Sequence, residues 1–453
     1  MKPVIALVGQ PNVGKSTLFN RLTRSRDALV DDQPGITRDR IYGNGSYQRK
    51  AFIVIDTGGL DDDDDALYSE MSAQTWEAVA ESDAVIFLVD GRSGQSSQDS
   101  NILSHLRTLG KPVYLAVNKT EGLDFDLVLT DFYGMGLGTP HPISSAHGQG
   151  VNSLMSVVLR DIPEEAQEKE EDHPVIAVIG RPNAGKSTLI NALLGENRVV
   201  VFDRPGTTRD SIRVPFQRED REYVLIDTAG VRRRGKVDEK IEKFSVIKTL
   251  QAIDESNVVV MMLDAQREIS DQDATLAAYA LDQGRAMVVV VNKWDKLSPE
   301  QRQRIVDEVD RKLRFLQFAE FIYISALHGT AVGDIFPAVD RAYEAAMKEL
   351  PTSFLNRILE KAVNENPPPY VRGQRSKPKF AHQAGRNPPL IVIHGNNLKR
   401  MPGSYLRYLT NTFRKVCKLQ GTPIRLQMRA SNNPFEGQRS PRSKKNRNRR
   451  GKK

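Results

Sequence analysis

Gly180-Arg181-Pro182-Asn183-Ala184-Gly185-Lys186-Ser187, followed by Thr188, is the stretch that decides the fold. It fits the pattern GxxxxGK[ST], which describes the phosphate-binding loop between a strand and a helix. Residues 175–179 before it are apolar and β-branched like a buried parallel strand, and residues 188–194 after it continue at helical spacing. The context that the pattern requires is therefore present. A glycine-rich turn without a nucleotide is the less favoured alternative.

A second copy of this loop lies 171 positions upstream, as Gly9-Gln10-Pro11-Asn12-Val13-Gly14-Lys15-Ser16-Thr17. Two further segments repeat at the same offset. The first is Pro-Gly-x-Thr-Arg-Asp, at residues 34–39 and 205–210. The second is Asp56-Thr57-Gly58-Gly59, which returns as Asp227-Thr228-Ala229-Gly230. A long repeat with the same internal spacing indicates a duplicated domain rather than a solenoid.

Apolar runs at residues 84–89 and 258–263 predict further strands, and each copy then has a run that ends in Asn-Lys. Strands that alternate with helical stretches predict an α/β fold with mostly parallel sheets and helices on both faces. Ligands of such sheets bind at the carboxyl ends of the strands. All the repeated segments fall just after predicted strands, so we expect each copy to gather them into one site.

The segment Asn292-Lys293-Trp294-Asp295 predicts which base the bound nucleotide carries. The carboxylate of Asp295 can accept hydrogen bonds from N1–H and the exocyclic amine of guanine, whereas adenine has no N1 donor. Selectivity arises because a wrong base leaves buried polar groups unpaired. Ser325-Ala326 fits the loop over guanine O6, and Ser144-Ser145 follows the corresponding strand of the first copy. We therefore predict guanine nucleotides, GTP and GDP, as ligands.

The first copy departs from this pattern, because Asn118-Lys119-Thr120-Glu121 has glutamate where aspartate is expected. Glutamate keeps the charge but adds a methylene, so its carboxylate must fold back to meet guanine. One alternative is that the first site binds guanine nucleotides more weakly and less selectively. The other is that the glutamate folds back at only a modest conformational cost.

Mg²⁺ is the predicted metal of both sites, because oxygen ligands recur at matching places. Thr37 and Thr208 lie in segments that would close on the ion when a γ-phosphate is present, and loss of that phosphate would release the loops. The predicted Mg²⁺ ligands are Ser16, Thr37, Asp56, Ser187, Thr208 and Asp227.

Positive charge near the phosphates must come from an unusual source. Many GTPases have a water-orienting glutamine after the last glycine, but this chain has Leu60 and Val231 there, so we expect slow intrinsic hydrolysis. The side-chain carbonyls of Asn12 and Asn183 could bind K⁺ beside the phosphates, as in the similar loops of potassium-activated GTPases. The alternative is that these asparagines only brace the loop.

The predicted catalytic residues are Asn12, Lys15, Thr37, Asn183, Lys186 and Thr208. In the first copy the predicted nucleotide-binding residues are Gly9, Gln10, Pro11, Asn12, Val13, Gly14, Lys15, Ser16, Thr17, Asp56, Thr57, Gly58, Gly59, Asn118, Lys119, Glu121, Ser144 and Ser145. In the second copy they are Gly180, Arg181, Pro182, Asn183, Ala184, Gly185, Lys186, Ser187, Thr188, Asp227, Thr228, Ala229, Gly230, Asn292, Lys293, Asp295, Ser325 and Ala326.

The net charge differs strongly between the two parts of the chain on either side of residue 350. Residues 351–453 hold 24 Lys and Arg against three acidic residues, a net charge of +21, whereas residues 1–350 have a net charge of −13. A basic end of this kind predicts a polyanionic partner such as nucleic acid. No apolar run approaches the roughly 18 residues that a membrane span needs, which predicts a cytoplasmic protein without a membrane partner.

Composition and pattern together predict five segments. They are a first GTPase domain at residues 1–162, an acidic linker at 163–173, a second GTPase domain at 174–350, an α+β domain at 351–436 and a basic disordered tail at 437–453. The α+β domain is predicted as helix 354–363, strands 379–382 and 390–394, helix 405–419 and strand 424–428.

The whole chain resembles the Der (EngA) family of bacterial GTPases. The resemblance is carried by the doubled GxPNxGKS, PGxTRD, DTxG and Asn-Lys sets, by Val231-Arg232-Arg233-Arg234-Gly235-Lys236, and by residues 423–435. It implies a KH-like C-terminal domain, GTP hydrolysis, and a role in assembling the large ribosomal subunit, with rRNA as a partner and the protein acting as a monomer. KH-like domains usually clamp nucleic acid with a GxxG loop, and residues 351–435 contain none, so direct RNA contact by this domain stays open.

Two other functions are kept as alternatives. One is a nucleotide-locked scaffold that binds RNA or ribosomes with little turnover. The other is a GTPase of tRNA modification, which would need a reactive cysteine at the C-terminus. Cys417, the single cysteine, lies in a helical pattern far from the chain end, which predicts a small core residue and argues against that second alternative.

Overall fold

The computed structural model describes residues 2–23, 42–48, 50–57, 76, 79–160, 172–195, 199–201, 212–227, 246–371 and 374–430. The chain divides into two compact units. The first comprises the chain up to Lys348 together with Arg386–Pro389 and Lys418–Ile424. The second comprises Glu349–Gly385, Leu390–Cys417 and the chain from Arg425.

The N-terminal sheet has the strand order β2-β3-β1-β4-β5-β6. All neighbouring pairs are parallel except β2 with β3. Its strands are β1 Val4–Gly9, β2 Tyr42–Tyr47, β3 Lys50–Asp56, β4 Ala84–Asp90, β5 Val113–Asn118 and β6 His141–Pro142. Its helices are α1 Lys15–Thr23, α2 Ser97–Thr108, α3 Phe125–Tyr133 and α4 Val151–Val158.

A second sheet repeats this plan with the strand order β13-β12-β11-β7-β10-β9-β8. Here β8, β9 and β10 pair antiparallel and the other pairs are parallel. The strands are β7 Val175–Ile179, β8 Val199–Val201, β9 Ile212–Arg218, β10 Arg221–Asp227, β11 Val258–Asp264, β12 Ala286–Asn292 and β13 Glu320–Tyr323. The helices are α5 Lys186–Leu194, α6 Val246–Glu255, α7 Asp271–Asp282, α8 Pro299–Lys312 and α9 Ile335–Met347.

Helices cover both faces of each sheet, and strands β1 and β7 contain no polar side chain. In β1, Ile5 packs in one core cluster with Leu18 of α1, whereas the next residue, Ala6, packs in another with Ile102 of α2. Successive side chains of a strand point to opposite faces, so an uninterrupted apolar strand requires helices on both sides. The predicted fold class, two tandem α/β domains with mostly parallel sheets, is confirmed.

The C-terminal unit contains a three-stranded sheet of order β16-β17-β18 and a short β14-β15 hairpin. The elements are α10 Thr352–Glu365, β14 Tyr370–Val371, β15 Gln374–Arg375, β16 Lys377–Gly385, β17 Leu390–Asn396, α11 Gly403–Cys417 and β18 Arg425–Ala430. The two helices and three longer strands agree with the sequence pattern, whereas the hairpin was not predicted. Cys417 is buried at the end of α11, as the helical pattern indicated.

The edge of this small sheet is capped by a side chain. Asn356 of α10 donates from Nδ2 to the carbonyl of Ala381 at 3.0 Å and accepts from its N–H at 2.9 Å. These bonds satisfy both backbone groups of one residue on edge strand β16, which would otherwise be open to another strand. In the part of the chain that the structure describes, no helix is long and apolar enough to cross a bilayer.

Candidate functional site

Each phosphate-binding loop lies at the carboxyl end of a central strand, β1 or β7, and leads into a helix, α1 or α5. The last glycine of each loop has a positive φ, 101° at Gly14 and 100° at Gly185. A Cβ atom at Gly14 would lie 2.3 Å from Nδ2 of Asn118, and one at Gly185 would lie 2.4 Å from Nδ2 of Asn292. Both the backbone conformation and the space therefore require glycine at these two positions.

The lysine of each loop is held across the loop that it closes. The ammonium of Lys15 donates to the carbonyl oxygens of Gly9 at 2.8 Å and Gln10 at 2.6 Å. Lys186 donates in the same way to Gly180 at 3.0 Å and Arg181 at 2.9 Å. Both lysines are buried, so a positive charge is fixed beside the loop amides in each domain. This is the arrangement that phosphate oxygens need.

The asparagines proposed for K⁺ binding have a left-handed backbone, with φ of 62° at Asn12 and 63° at Asn183. Asparagine tolerates this conformation better than other non-glycine residues. Backbone geometry alone is thus a sufficient reason for asparagine here, and a test of its side-chain carbonyl must keep the left-handed turn intact.

One asparagine in each domain joins the phosphate loop to the loop predicted over the base. Asn118 donates from Nδ2 to the carbonyl of Val13 at 2.7 Å and accepts at Oδ1 from the N–H of Ser145 at 2.8 Å. Asn292 repeats both bonds with Ala184 at 2.8 Å and Ala326 at 2.9 Å. Because both asparagines are buried, each domain has one rigid connection between its two loops.

The lysine that follows each of these asparagines pairs with an aspartate at the end of the neighbouring strand. Lys119 Nζ lies 2.7 Å from Asp90 Oδ2, and Lys293 Nζ lies 2.6 Å from Asp264 Oδ2. Partial burial acts to raise the pKa of Asp90, but the hydrogen bonds from Lys119 and from backbone amides outweigh it and hold that pKa below the ordinary value. The pair therefore stays ionised and fixes the Asn-Lys turn.

Each of the two carboxylates predicted to bind guanine has its pKa lowered in part by a serine of its own domain. A hydrogen bond with Ser325 is the largest cause that lowers the pKa of Asp295. In the first domain a backbone hydrogen bond and then one with Ser144 lower the pKa of Glu121. Ser144 and Ser325 follow corresponding strands of the two domains, and in each case the lowered pKa favours the ionised carboxylate, which accepts hydrogen bonds.

The first domain adds a cation that the second does not have at the matching place. Arg92 Nη2 lies 3.1 Å from Glu121 Oε1, whereas residue 266, which follows Asp264 as Arg92 follows Asp90, is glutamine. The Glu121 carboxylate therefore has an ionic partner that competes with guanine for it. The carboxylate of Asp295 lies 3.5 Å from the imidazole of His328.

Two arginines hold the loops of the sites in place. Sequence reasoning did not predict this structural role. Arg21 of α1 donates to the carbonyls of Ser145 at 2.6 Å and Ala146 at 2.5 Å, and the second copy has alanine at the corresponding position, 192. Arg181 Nε lies 2.8 Å from Asp273 Oδ2. Residue type and spacing gave no signal for Arg21, because its partners are backbone atoms more than 120 positions away.

The second site contains a cavity of about 340 Å³. Its lining combines the phosphate loop with both base-recognition segments, namely Asn183, Lys186, Ser187, Asn292, Asp295 and Ser325. The sequence-predicted residues of three separate segments therefore meet around one space.

The remaining predicted residues take the following places. Pro11 and Val13 lie in the first loop, and Pro182 lies in the second. Ser16, Thr17 and Thr188 lie in the first turns of α1 and α5. Asp56 is buried at the end of β3, and the hydroxyl of Thr57 donates to the carbonyl of Leu7 at 2.7 Å. Thr37, Gly58, Gly59, Leu60, Thr208, Thr228, Ala229, Gly230, Val231 and the side chain of Asp227 lie outside the described residues.

Comparison with known proteins agrees with this geometry. A family model described as "50S ribosome-binding GTPase" matches residues 4–119 and again 175–293, and one described as "KH-domain-like of EngA bacterial GTPase enzymes, C-terminal" matches residues 349–429. The fold and sites thus define a GTPase with two GTPase domains followed by a KH-like domain.

Proteins named GTPase Der are similar over almost the whole chain. The one from Chromobacterium violaceum is 57% identical and covers 96% of this chain and 93% of its own length. Those from Neisseria gonorrhoeae, 56% identical, and Acinetobacter baumannii, 52% identical, cover 96% and 97% of this chain and 90% and 94% of their own. The chain belongs to the GTPase Der family and is an enzyme that hydrolyses GTP.

Proposed function

We propose that the protein is a two-site GTP-dependent switch that acts in assembly of the large ribosomal subunit in the bacterial cytoplasm. The observation that carries this proposal is the joining of two guanine-nucleotide sites to a basic C-terminal part with a net charge of +21. Such a part attracts polyanions, of which rRNA is the one that the description "50S ribosome-binding GTPase" favours.

The residue roles follow from the site geometry. The loop amides with Lys15 and Lys186 would hold the phosphates of GTP or GDP, and Asp295 and Glu121 would accept hydrogen bonds from guanine. The connecting asparagines, Asn118 and Asn292, transmit any shift of the base loop to the phosphate loop, because each bonds to both. Occupancy of either half of a site would therefore organise the other half.

The residues predicted to bind Mg²⁺ carry hard oxygen ligands. Ser16 and Ser187 begin α1 and α5 beside the buried lysines, and Asp56 is buried one strand away, so the first site offers the hydroxyl and carboxylate oxygens that Mg²⁺ prefers. Thr37, Thr208 and Asp227 complete the set by sequence. Mg²⁺ at this place would offset the charge of the β- and γ-phosphates.

K⁺ is the second proposed cation. Because Leu60 and Val231 cannot orient water, positive charge must reach the phosphates from another source, and the carbonyls of Asn12 and Asn183 are placed in loops that could supply a K⁺ site. Turnover should then be higher in K⁺ than in Na⁺.

Replacing Asn183 by Gly tests this assignment, since glycine keeps a φ of 63° without strain while the whole side chain, including its carbonyl, is removed. The variant should lose most of the K⁺ stimulation at the second site and keep GDP binding. Asn183→Ala, which adds backbone strain, serves as the comparison. Equal turnover of the unmodified protein in both salts would refute a role for K⁺. The second site is read alone in a Lys15→Ala background, and a K⁺ response that survives there in Asn183→Gly would exclude this side chain.

A turnover assay tests the switch against the scaffold alternative. GTP hydrolysis is measured alone and with purified large ribosomal subunits, and the same series is run with Lys15→Ala and Lys186→Ala. A switch predicts that subunits stimulate turnover and that at least one lysine variant loses the stimulation. A scaffold predicts binding to subunits with no change in a low turnover.

A further inference from the structure

The three-stranded sheet of the C-terminal unit has one face that carries a cluster of rings. Phe380 and His382 lie on β16 and His394 lies on β17. The two imidazoles stack with ring centroids 5.2 Å apart and planes 21° apart, and the Phe380 ring lies 5.8 Å from His382 and 6.1 Å from His394. Phe380 is 43% exposed, and both histidines are partly exposed. The cluster, called the ring surface below, is therefore partly exposed to solvent, most of all at Phe380.

Strand register shows that this ring surface extends across all three strands. Phe380 is opposite His394, which is opposite Arg429 of β18. Paired residues lie on the same face, so one phenyl, one imidazole and one guanidinium form a row. Arg429 is exposed, and its Nε donates to Gln427 at 3.2 Å, which directs the guanidinium along the same edge. Ala381 and Ile393, which point to the opposite face, are fully buried. Val392, which is opposite His382 on the ring face, is also fully buried, so the exposed part of this face lies around Phe380 and Arg429.

The segment that contains these three strands carries charge of one sign. Residues 366–435 contain 13 Lys and Arg and no Asp or Glu. The flanking Lys377 and Lys379 of β16 are exposed. A partner that contacts the ring surface therefore meets a field that attracts anions and repels cations. Aromatic side chains within a basic surface are the combination that binds single-stranded nucleic acid, because rings stack on bases while cations follow the phosphates.

We propose that the face formed by Phe380, His382, His394 and Arg429 binds unpaired RNA bases by stacking. This inference takes one point from the proposed function, namely that the polyanion is RNA. The site differs from a GxxG clamp, which residues 351–435 do not contain, because the contact is made by a sheet face. Bases in a duplex are stacked on one another and do not offer their faces to a sheet, so the expected ligand is single-stranded RNA or a loop.

The experiment measures binding of the full-length protein to a short fluorescein-labelled polyuridine strand by fluorescence anisotropy over a series of salt concentrations. An RNA duplex of equal length is the comparison ligand. Phe380→Leu combined with His394→Leu removes two rings but keeps apolar bulk, and should weaken single-strand binding about five- to hundredfold. The slope of log affinity against log salt should not change, because no phosphate contact is lost.

Three variants serve as controls. Phe380→Tyr keeps a ring and should keep the affinity. Phe125→Ala removes a phenylalanine of similar exposure, 47%, from the first unit and should have no effect. Arg429→Gln should reduce the salt slope by about one charge. GTP turnover, to which none of these residues contributes, should be unchanged in every variant and reports correct folding.

Several results would overturn the inference. Unchanged single-strand affinity in the double variant, or equal weakening of the duplex, would show that the rings do not stack on bases. Weaker binding to ribosomal subunits with unchanged RNA affinity would assign the face to a protein partner. Failure of the unmodified protein to bind the polyuridine strand would also refute the inference. The proposed function is refuted by a different result, namely that the protein does not bind large ribosomal subunits at all.

Discussion

The buried asparagine that joins the two loops of each site gives the sharpest prediction. Asn292→Ala removes two hydrogen bonds and leaves the Ala184 carbonyl and the Ala326 N–H buried without that partner. Each unsatisfied buried group costs about 1–3 kcal/mol, so the total is about 2–6 kcal/mol, shared between domain stability and nucleotide binding. If the lowest value fell wholly on binding, GDP affinity would decrease about thirtyfold.

The assay is titration with a fluorescent GDP analogue in a Lys15→Ala background, so that only the second site is read. Asn118→Ala in a Lys186→Ala background is the matched experiment, because the first site has the same two bonds at 2.7 and 2.8 Å. Each change should weaken its own site and leave the other unaffected. Second-site affinity within twofold of the parent, together with an unchanged unfolding temperature, would refute the view that these asparagines couple the loops.

Three further predictions concern single features. Replacing Glu121 by Asp should tighten GDP binding at the first site about five- to tenfold, since the shorter side chain can meet guanine without folding back; unchanged affinity would show that the extra methylene has no cost. The hydrogen bond from Ser325 lowers the pKa of Asp295, so its contribution is present above the ordinary pKa and is lost as pH falls through the lowered one. Ser325→Ala should therefore move the acidic loss of second-site GDP affinity to higher pH, and superimposable pH profiles would contradict this. Deleting residues 437–453, which carry nine basic side chains, should weaken binding to ribosomal subunits and flatten its salt dependence; an unchanged slope would exclude an electrostatic role.

Local patterns predicted the parts of the fold that depend on local chemistry. The apolar run before Gly180 predicted strand β7, and the run before Gly9 predicted β1, because a buried parallel strand must be apolar at successive positions. The rule that ligands bind at the carboxyl ends of strands then predicted which segments meet. The cavity lined by Lys186, Asn292 and Ser325 agrees with that expectation.

Contacts between a side chain and a distant part of the chain could not be predicted in this way. The bond between Asn292 and Ala184 spans 108 positions, and the one between Arg21 and Ser145 spans 124. Neither leaves a periodic signal, because both partners are backbone carbonyls, which every residue has. The ion pair of Arg92 with Glu121 was missed for a related reason, since an exposed arginine after a strand has many alternative positions. The short hairpin of β14 and β15 follows three prolines, a composition that predicts a loop as readily as an edge strand.

Co-sedimentation with purified large ribosomal subunits tests the central claim most directly. The unmodified protein, Lys15→Ala and Lys186→Ala are each centrifuged with subunits in the presence of GDP or of a non-hydrolysable GTP analogue. The account predicts that the analogue and GDP give different bound fractions with the unmodified protein, and that disabling a site which controls binding removes the difference. Equal sedimentation with both nucleotides, or no sedimentation with either, would contradict a GTP-dependent switch on the large subunit.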